Sequence, residues 1–457
     1  MSWRPRSLKP LRHRGFRLLA GGQLASNLGD MVYAVALPWY VLADHGGVLL
    51  LGIVLAAYGV PRTVFIAIGG HASDRWQPWT VMMAADAVRA LVVVALAIVA
   101  MAGRPSALTL VPIAVVLGVG EGLFLPGSFS IIPTLLPDED LQAGNALASS
   151  GTMLATFIGP ALGGVLVALV GSAPAFGLDA VSFVVSALTL AGVRAEKRPY
   201  PTGGAVRAGA ELTRLEPGGV AAASADATPG VRSIGQPTLP QVLASERVLQ
   251  IILLINVAAN LCAGGESEVG LPALAHGPFH AGAAGYGALI AAFGAGALVG
   301  TLVAGQMHSP RRPAMVGSFA FLAEAGFMAA VPFLGGTVGA AVALIAFGAL
   351  NGFGNVTTIT AFQRWAPPAM LGRLMGLLLL TSFGVFPISV ALAAVAVQHF
   401  GAAPLFPFAG AALAAAILFG LTQRRWRDFG TAGPMHSPTE VDDQVSVRSG
   451  VASPGAR

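Results

Sequence analysis

The sequence predicts an all-α membrane protein of about twelve transmembrane helices in two pseudo-symmetric six-helix bundles. Three observations predict it. The 457 residues are 55% hydrophobic and only 10% charged, with a mean hydropathy of +0.74. Soluble chains carry about 25% charged residues, so this one lacks the polar surface to cover itself in water. Apolar runs of spanning length, roughly 20 residues, recur along almost the whole chain. Short stretches of the first half also return in the second. "PDEDLQAGNAL" (137–147) is echoed by "PPAMLGRLMGL" (367–377), "GSAPAF" (171–176) by "GAAPLF" (401–406), and Tyr58-Gly59 by Tyr286-Gly287. The offset stays near ~230 residues, as expected of parallel repeats.

A basic segment, 1–15, precedes the first span at 16–42. Spans at 48–70, 79–102, 106–131, 142–169 and 173–193 complete an N-terminal bundle, 16–193. Residues 194–247 form a linker whose stretch 199–245 is rich in Pro, Gly, Ala and Ser and reads as flexible. Spans at 248–272, 281–306, 313–333, 338–362, 369–397 and 402–422 make the C-terminal bundle, 248–422. Residues 423–457 are a cytoplasmic tail, expected to be disordered from 430 on. The 59 glycines suit helices that pack closely through small residues. The first apolar run is long and lacks a small-residue cleavage site, so it reads as a span and not as a signal peptide.

Basic residues set the orientation. Arg4, Arg6, Lys9, Arg12, Arg14 and Arg17 precede span one. Arg194, Lys197 and Arg198 follow span six; Arg311 and Arg312 follow span eight; Arg424, Arg425 and Arg427 follow span twelve. All fall on one side, and Arg104 alone lies in a loop on the other. The positive-inside rule places both termini on the cytoplasmic side of the membrane. Orientation therefore explains the net charge of +5 without nucleic acid.

Ionisable groups inside a bilayer cost several kcal/mol on some scales, and each needs a reason. Gln23, Asn27 and Asp30 share one face of span one. Arg62 lies in span two, Asp86 and Arg89 in span three, and Glu121 in span four. In the second half Asn256 and Asn260 share a face of span seven, Glu266 and Glu268 lie near its outer end, and Glu324 is within span nine. One reading is a set of structural ion pairs, foremost Asp86 with Arg89. The other is proton coupling. A carboxyl group facing a watery cavity can exchange protons, so Asp30 or Glu121 is expected to carry the proton and Arg62 or Arg89 to tune it. Cargo is expected to meet Gln23, Asn27, Asp30, Glu121, Phe124, Asn256, Asn260 and Phe293, with Trp39 and Tyr40 adding aromatic surface.

Other signals are weaker. Cys262 stands alone in an apolar run, which excludes an internal disulfide. His276 and His280 have helical spacing but fall in a predicted exterior loop, and no metal is assigned to them. The Asn355-Val-Thr357 sequon lies inside a span. "GAGALVG" near Gly294 lacks a preceding strand, and there is no Walker A motif to hold ATP. No nucleophile constellation or cofactor motif marks an enzyme.

Two motifs carry a resemblance. "GGHASDR" (69–75), in the link predicted between spans two and three, is similar to the Gly-x-x-x-Asp-Arg signature of the major facilitator superfamily, with Gly70, Asp74 and Arg75 matching. The usual basic residues after it are replaced by Gln77, Pro78 and Trp79. An ordinary solvated turn is the plain alternative, since surface ion pairs are worth ~0–1 kcal/mol. "ATFIGPALGG" (155–164) resembles the helix-five motif of antiporters in that superfamily. Gly159, Pro160, Gly163 and Gly164 match, and Ala155 replaces the first glycine. Small residues there permit close helix approach, and proline removes a backbone bond. "SNLGD", "DAVRA" and the run from "PTLLPDEDLQAGNAL" to "FGLDAVSFVVSAL" resemble the bacterial branch that includes siderophore exporters and macrolide efflux pumps.

The resemblance implies two bundles that rock about a central cavity, with Gly70, Asp74, Arg75, Gly159, Pro160, Gly163 and Gly164 as gating positions. It implies a monomeric secondary transporter that exports small amphipathic molecules (a drug, siderophore or secondary metabolite) by proton antiport. An importer of a polar nutrient and a non-transporting membrane sensor or scaffold are the alternatives.

Overall fold

The computed structural model describes residues 6–44, 46–194, 239–307, 310–366 and 371–430. Twelve long helices run through them: α1 Arg14–Ala43, α2 Gly47–Trp76, α3 Pro78–Ala102, α4 Ala107–Ser130, α5 Asp138–Val170, α6 Ser172–Arg194, α7 Arg247–Gly265, α8 Gly282–Gln306, α9 Pro313–Ala330, α10 Gly336–Trp365, α11 Leu371–Phe400 and α12 Leu405–Thr422. α7 continues through a π-helical turn, Glu266–Gly270, into a further helical segment, Leu271–His276. In lipid every backbone amide must be satisfied within its own segment, which is why the apolar runs become helices.

Among the described residues eleven helices are long and apolar enough to cross a membrane, and α1 is not among them. Gln23, Asn27 and Asp30 sit in the middle of α1 and lower its hydropathy. It is nonetheless packed against α5 and α6. Two boundaries differ from expectation in ways that matter. α2 runs on to Trp76, so Asp74 and Arg75 lie in its last turn and not in a link. The break is Gln77 alone, at φ 70°, followed by Pro78 at the start of α3. Proline suits a first helical position because its missing N–H has no partner there. The linker expected over 199–245 is helical at its end, Leu239–Ser245. Its remainder, 199–238, and the tail beyond 430 lie outside the described residues.

The packing repeats between halves. α1 packs on α5 and α6, α2 on α4, and α3 on α4 and α6. In the second half α7 packs on α11 and α12, α8 on α10, and α9 on α10 and α12. Adding six to each helix label converts the first set into the second. The halves join through two further contacts related in the same way, α2 with α11 and α5 with α8. Both lie in the part of the helices nearer the end opposite the termini. There, Gly52 faces Ala394, and Gly164 faces Ala283, Ala284 and Gly287, while Thr63 donates to the carbonyl of Phe383 at 3.1 Å near the middle of α2 and α11.

α3 shows how the bundle is built. Met82, Ala85, Asp86, Arg89, Val93 and Leu96 form its buried stripe, whereas Leu91, Ile98 and Met101 are exposed. A helix in lipid turns its polar residues inward and its apolar ones out. Leu169, Val338 and Phe408 continue the exposed apolar surface around the molecule.

Candidate functional site

That inward stripe carries the charges. Arg89 donates to Asp30 Oδ1 of α1 at 2.7 Å, and Asp86 Oδ1 lies further away, 3.7 Å from the same guanidinium. The pair expected from spacing, Asp86 with Arg89, is thus the looser of the two. The Arg89 guanidinium also lies 4.0 Å from the centre of the Phe183 ring and 5.9 Å from that of Phe124, a cation–π arrangement favoured where water is scarce. Asp86 is fully buried, and neither of its oxygens has a hydrogen-bond partner.

A second pair sits on α2 and α4, with Arg62 Nε 3.3 Å from Glu121 Oε1. Arg62 reaches across to the other half, where its guanidinium lies 4.5 Å from the centre of the Phe383 ring of α11. Glu268, in the π-helical turn of α7, lies within electrostatic reach of it. The side chains of Asp30, Arg62 and Glu121 stay 30%, 18% and 22% exposed, while those of Asp86 and Arg89 are 0% and 6%. The first three therefore face a space between the halves, and the last two lie behind them.

Asp179 was not singled out from the sequence. It is buried on α6, and Ser182 Oγ lies 3.3 Å from its Oδ1. Gly29 of α1 sits opposite, where a Cβ would come within 2.6 Å of that oxygen. Asp179 is within electrostatic reach of Asp30, Asp86 and Arg89. A lone aspartate in the apolar run 173–193 was the available signal. The N-terminal bundle therefore gathers four carboxyl groups, Asp30, Asp86, Glu121 and Asp179, around two guanidinium groups, Arg62 and Arg89.

The expected amide groups are held by neighbours. Asn27 donates to Thr152 Oγ1 at 3.1 Å. Asn256 donates to Leu378 O, Thr381 Oγ1 and Ser382 Oγ of α11 at 3.2, 2.8 and 3.1 Å, and Asn260 donates to Asn256 O at 2.8 Å. Gln23 is half-buried on the α1 face with Asn27 and Asp30. Phe293 and Phe124 are half-buried, with Phe293 packed on Phe347 at 5.1 Å between ring centres. Tyr40 is buried, and its hydroxyl donates to Gly103 O at 3.1 Å, so it serves packing. Trp39 meets His276 edge-on at 5.5 Å, and His276 ends a helical segment where a loop was expected.

The gating positions separate. Gly159 and Gly163 face Met31, Val32 and Val35 of α1 within the bundle, whereas Gly164 faces α8 of the other half, as does the carbonyl of Pro160. Gly70 is half-buried on α2 and Arg75 is exposed, 5.8 Å over the Trp76 ring. The Asp74 side chain lies outside the described residues. Ion pairs described at that end of the molecule lie elsewhere: Asp140, near the start of α5, lies 3.0 Å from Lys9 and 3.1 Å from His13, and Arg424 Nε lies 3.9 Å from Asp428 Oδ2 after α12.

Residues 19–378 match the Major Facilitator Superfamily. The chain belongs to that superfamily. This major facilitator protein is a multi-pass secondary transporter. It is 26% identical over 380 residues to the enterobactin exporter EntS of Citrobacter koseri, covering 80% of this chain and 81% of that one. It is 29% identical over 190 residues to the multidrug efflux pump Tap of Mycolicibacterium fortuitum, covering 40% of this chain and 46% of that one. Among solved structures, a POT family transporter in complex with 5-aminolevulinic acid superposes with a TM-score of 0.66 at 14% identity, covering 90% of this chain and 96% of that one. The nucleoside transporter NupG superposes with a TM-score of 0.63 at 11% identity, covering 90% and 99%. Both show the fold.

Proposed function

We propose that this transporter exports small amphipathic organic molecules from the bacterial cytoplasm by proton antiport, acting as a monomer in the inner membrane with both termini cytoplasmic. One observation carries the reading: four carboxyl groups surround two guanidinium groups in the N-terminal bundle, and the half-exposed members face the space between the halves. Full ionisation would leave excess negative charge away from water, which is costly. Protons are the natural remedy. Asp30 and Glu121 face the space, so a proton arriving there competes with cargo, while Arg89 and Arg62 hold the carboxylates when the proton leaves. The relatives named an enterobactin exporter and a multidrug efflux pump favour outward movement of organic cargo. The half-buried Phe124 and Phe293 offer apolar surface of the kind such cargo needs.

In this reading the contacts of α2 with α11 and α5 with α8 seal the exterior side, and Gly164 lies at the moving seam. Gly70, Asp74 and Arg75 act at the cytoplasmic face when the halves close there. The test is a compound-susceptibility panel in an efflux-deficient host, followed by proton-driven efflux in proteoliposomes with Asp30→Asn and Glu121→Gln assayed separately. Protection from at least one compound, lost in one of the variants, is expected. Uptake of a labelled nutrient in place of protection, or unchanged pH-dependent transport in both variants, would overturn the proposal.

A further inference from the structure

The C-terminal bundle contains a second set of acids that the reading above does not use. Glu266 opens the π-helical turn of α7, and Glu324 lies on α9; each is 3% exposed. Both carboxylate oxygens of Glu266 and Oε2 of Glu324 are buried without a hydrogen-bond partner. Orphaned buried polar atoms of this kind demand an explanation. Glu324 Oε1 accepts from Asn351 Nδ2 of α10 at 3.0 Å, and Asn351 Oδ1 accepts from Asn355 Nδ2 at 3.1 Å. Asn355 is exposed, so a chain of amides runs from the surface of α10 to Glu324.

No base faces them. Glu324 acts on Glu266, and the thiol of Cys262 lies one turn earlier on α7. Glu324 is the sole charged residue of α9, and α12 has none. α10 has Arg364 in its last turn, and α11 has Arg373 and His399 near its two ends. On α2, Arg62 is engaged by Glu121 and by Glu268. An uncompensated pair of carboxylates in this setting would be very costly. Glu266 also sits in a π turn, and such turns inside α-helices are frequent at functional sites. Here Ser389 of α11 accepts from Gly265 N at 2.6 Å and donates to the Leu261 carbonyl, satisfying backbone groups where the helix changes pitch.

We propose that Glu266 and Glu324 form a proton-binding site of their own in the C-terminal bundle, reached past Asn355 and Asn351 and separate from the Asp30–Arg89 and Glu121–Arg62 pairs. A single proton on either carboxyl supplies the missing donor. It halves the charge of the pair, and a second proton removes the rest. A metal cation fits less well. Hard cations take about six oxygen ligands, whereas among the described residues no group of three or more His, Cys, Asp or Glu side chains is placed to hold one.

The test uses the full-length wild-type protein in lipid nanodiscs. A hydrophobic carbodiimide modifies buried carboxyl groups only in their protonated form, and mass spectrometry of the digest locates the adduct. Modification of Glu266 or Glu324 is expected at about pH 7 and is expected to fall as the pH is raised. It is expected to persist in Asp30→Asn, which makes its outcome independent of the N-terminal cluster. Glu266→Gln should abolish the adduct at its own position and leave Glu324 reactive. Absence of adduct at both positions in the wild type would overturn the proposal. So would protection by sodium ions at constant pH, which would make the pair a cation site.

Discussion

Lys9 Nζ lies 3.0 Å from Asp140 Oδ1, tying the segment before α1 to the first turn of α5. His13 Nε2 reaches the other oxygen at 3.1 Å. α5 also carries Gly164 to the seam between the halves, so this tie connects the N-terminal segment to a helix at the interface. A negative side chain in the first turn of a helix suits the dipole there. Asp140→Asn is expected to free residues 6–12, read as severalfold faster tryptic cleavage after Arg6 and Arg12. Equal cleavage rates in variant and wild type would show that the tie holds nothing.

The same pair sets a pH dependence. The hydrogen bond from Lys9, and next that from His13, hold the Asp140 carboxyl below its ordinary value. The tie therefore contributes fully above the unfolded aspartate value, about 3.9. It is lost as the pH falls through the lowered native value. Hydrogen exchange of residues 6–12, pulse-labelled at each pH and corrected for the intrinsic pH dependence of exchange, should show protection that stays flat from neutral to mildly acidic pH. A loss already complete near neutrality would contradict the assignment.

Removing Arg89 should be harsher than removing Arg62. Arg89 is 6% exposed between Asp30 and Asp86, whereas Arg62 is 18% exposed at the edge of the open space. Breaking a buried pair by deleting one partner costs about 3–5 kcal/mol. Arg89→Ala is expected to fall in or near this range in detergent unfolding, and Arg62→Ala well below it. Equal costs would mean that burial is not what distinguishes the two.

Gly164→Val tests the seam. A Cβ at that position would meet Ala283 O at 2.7 Å and the Gly287 Cα at 2.9 Å, both backbone atoms that cannot rotate away. The variant should insert and purify normally, because the bundle interior is untouched, yet lose about tenfold or more of its transport by biasing the balance of conformations. Wild-type transport from a well-folded Gly164→Val protein would remove α5–α8 closure from the mechanism.

Asn256 distinguishes structure from cargo contact. Its side-chain Nδ2, with two N–H groups, lies within hydrogen-bond reach of three acceptors on α11. Asn256→Leu leaves partners unsatisfied, at about 1–3 kcal/mol each when fully buried. The melting temperature should drop for Asn256→Leu and much less for Asn27→Ala, which loses a bond to Thr152. If cargo stabilises the Asn256→Leu protein as much as the wild type, the residue serves packing alone.

The sequence by itself determined the helices. Apolar runs in lipid have one way to satisfy their backbone, so element type and approximate length follow from composition. The repeat between halves was legible for the same reason, as punctuation such as "GSAPAF" and "GAAPLF" recurs at matching turns. Which charges meet was decided by tertiary structure. Asp30 and Arg89 are 59 residues apart, and Arg62 touches Phe383 of the opposite half. Such meetings depend on how each helix is rotated about its axis and which helix lies beside it, and spacing along one helix carries neither fact. Spacing favoured Asp86 for Arg89; packing placed Asp30 closer because α1 and α3 both abut α6. The split of the α5 glycines between an internal and an external neighbour, and the orphaned pair Glu266 and Glu324, exist only once helices from distant parts of the chain are side by side.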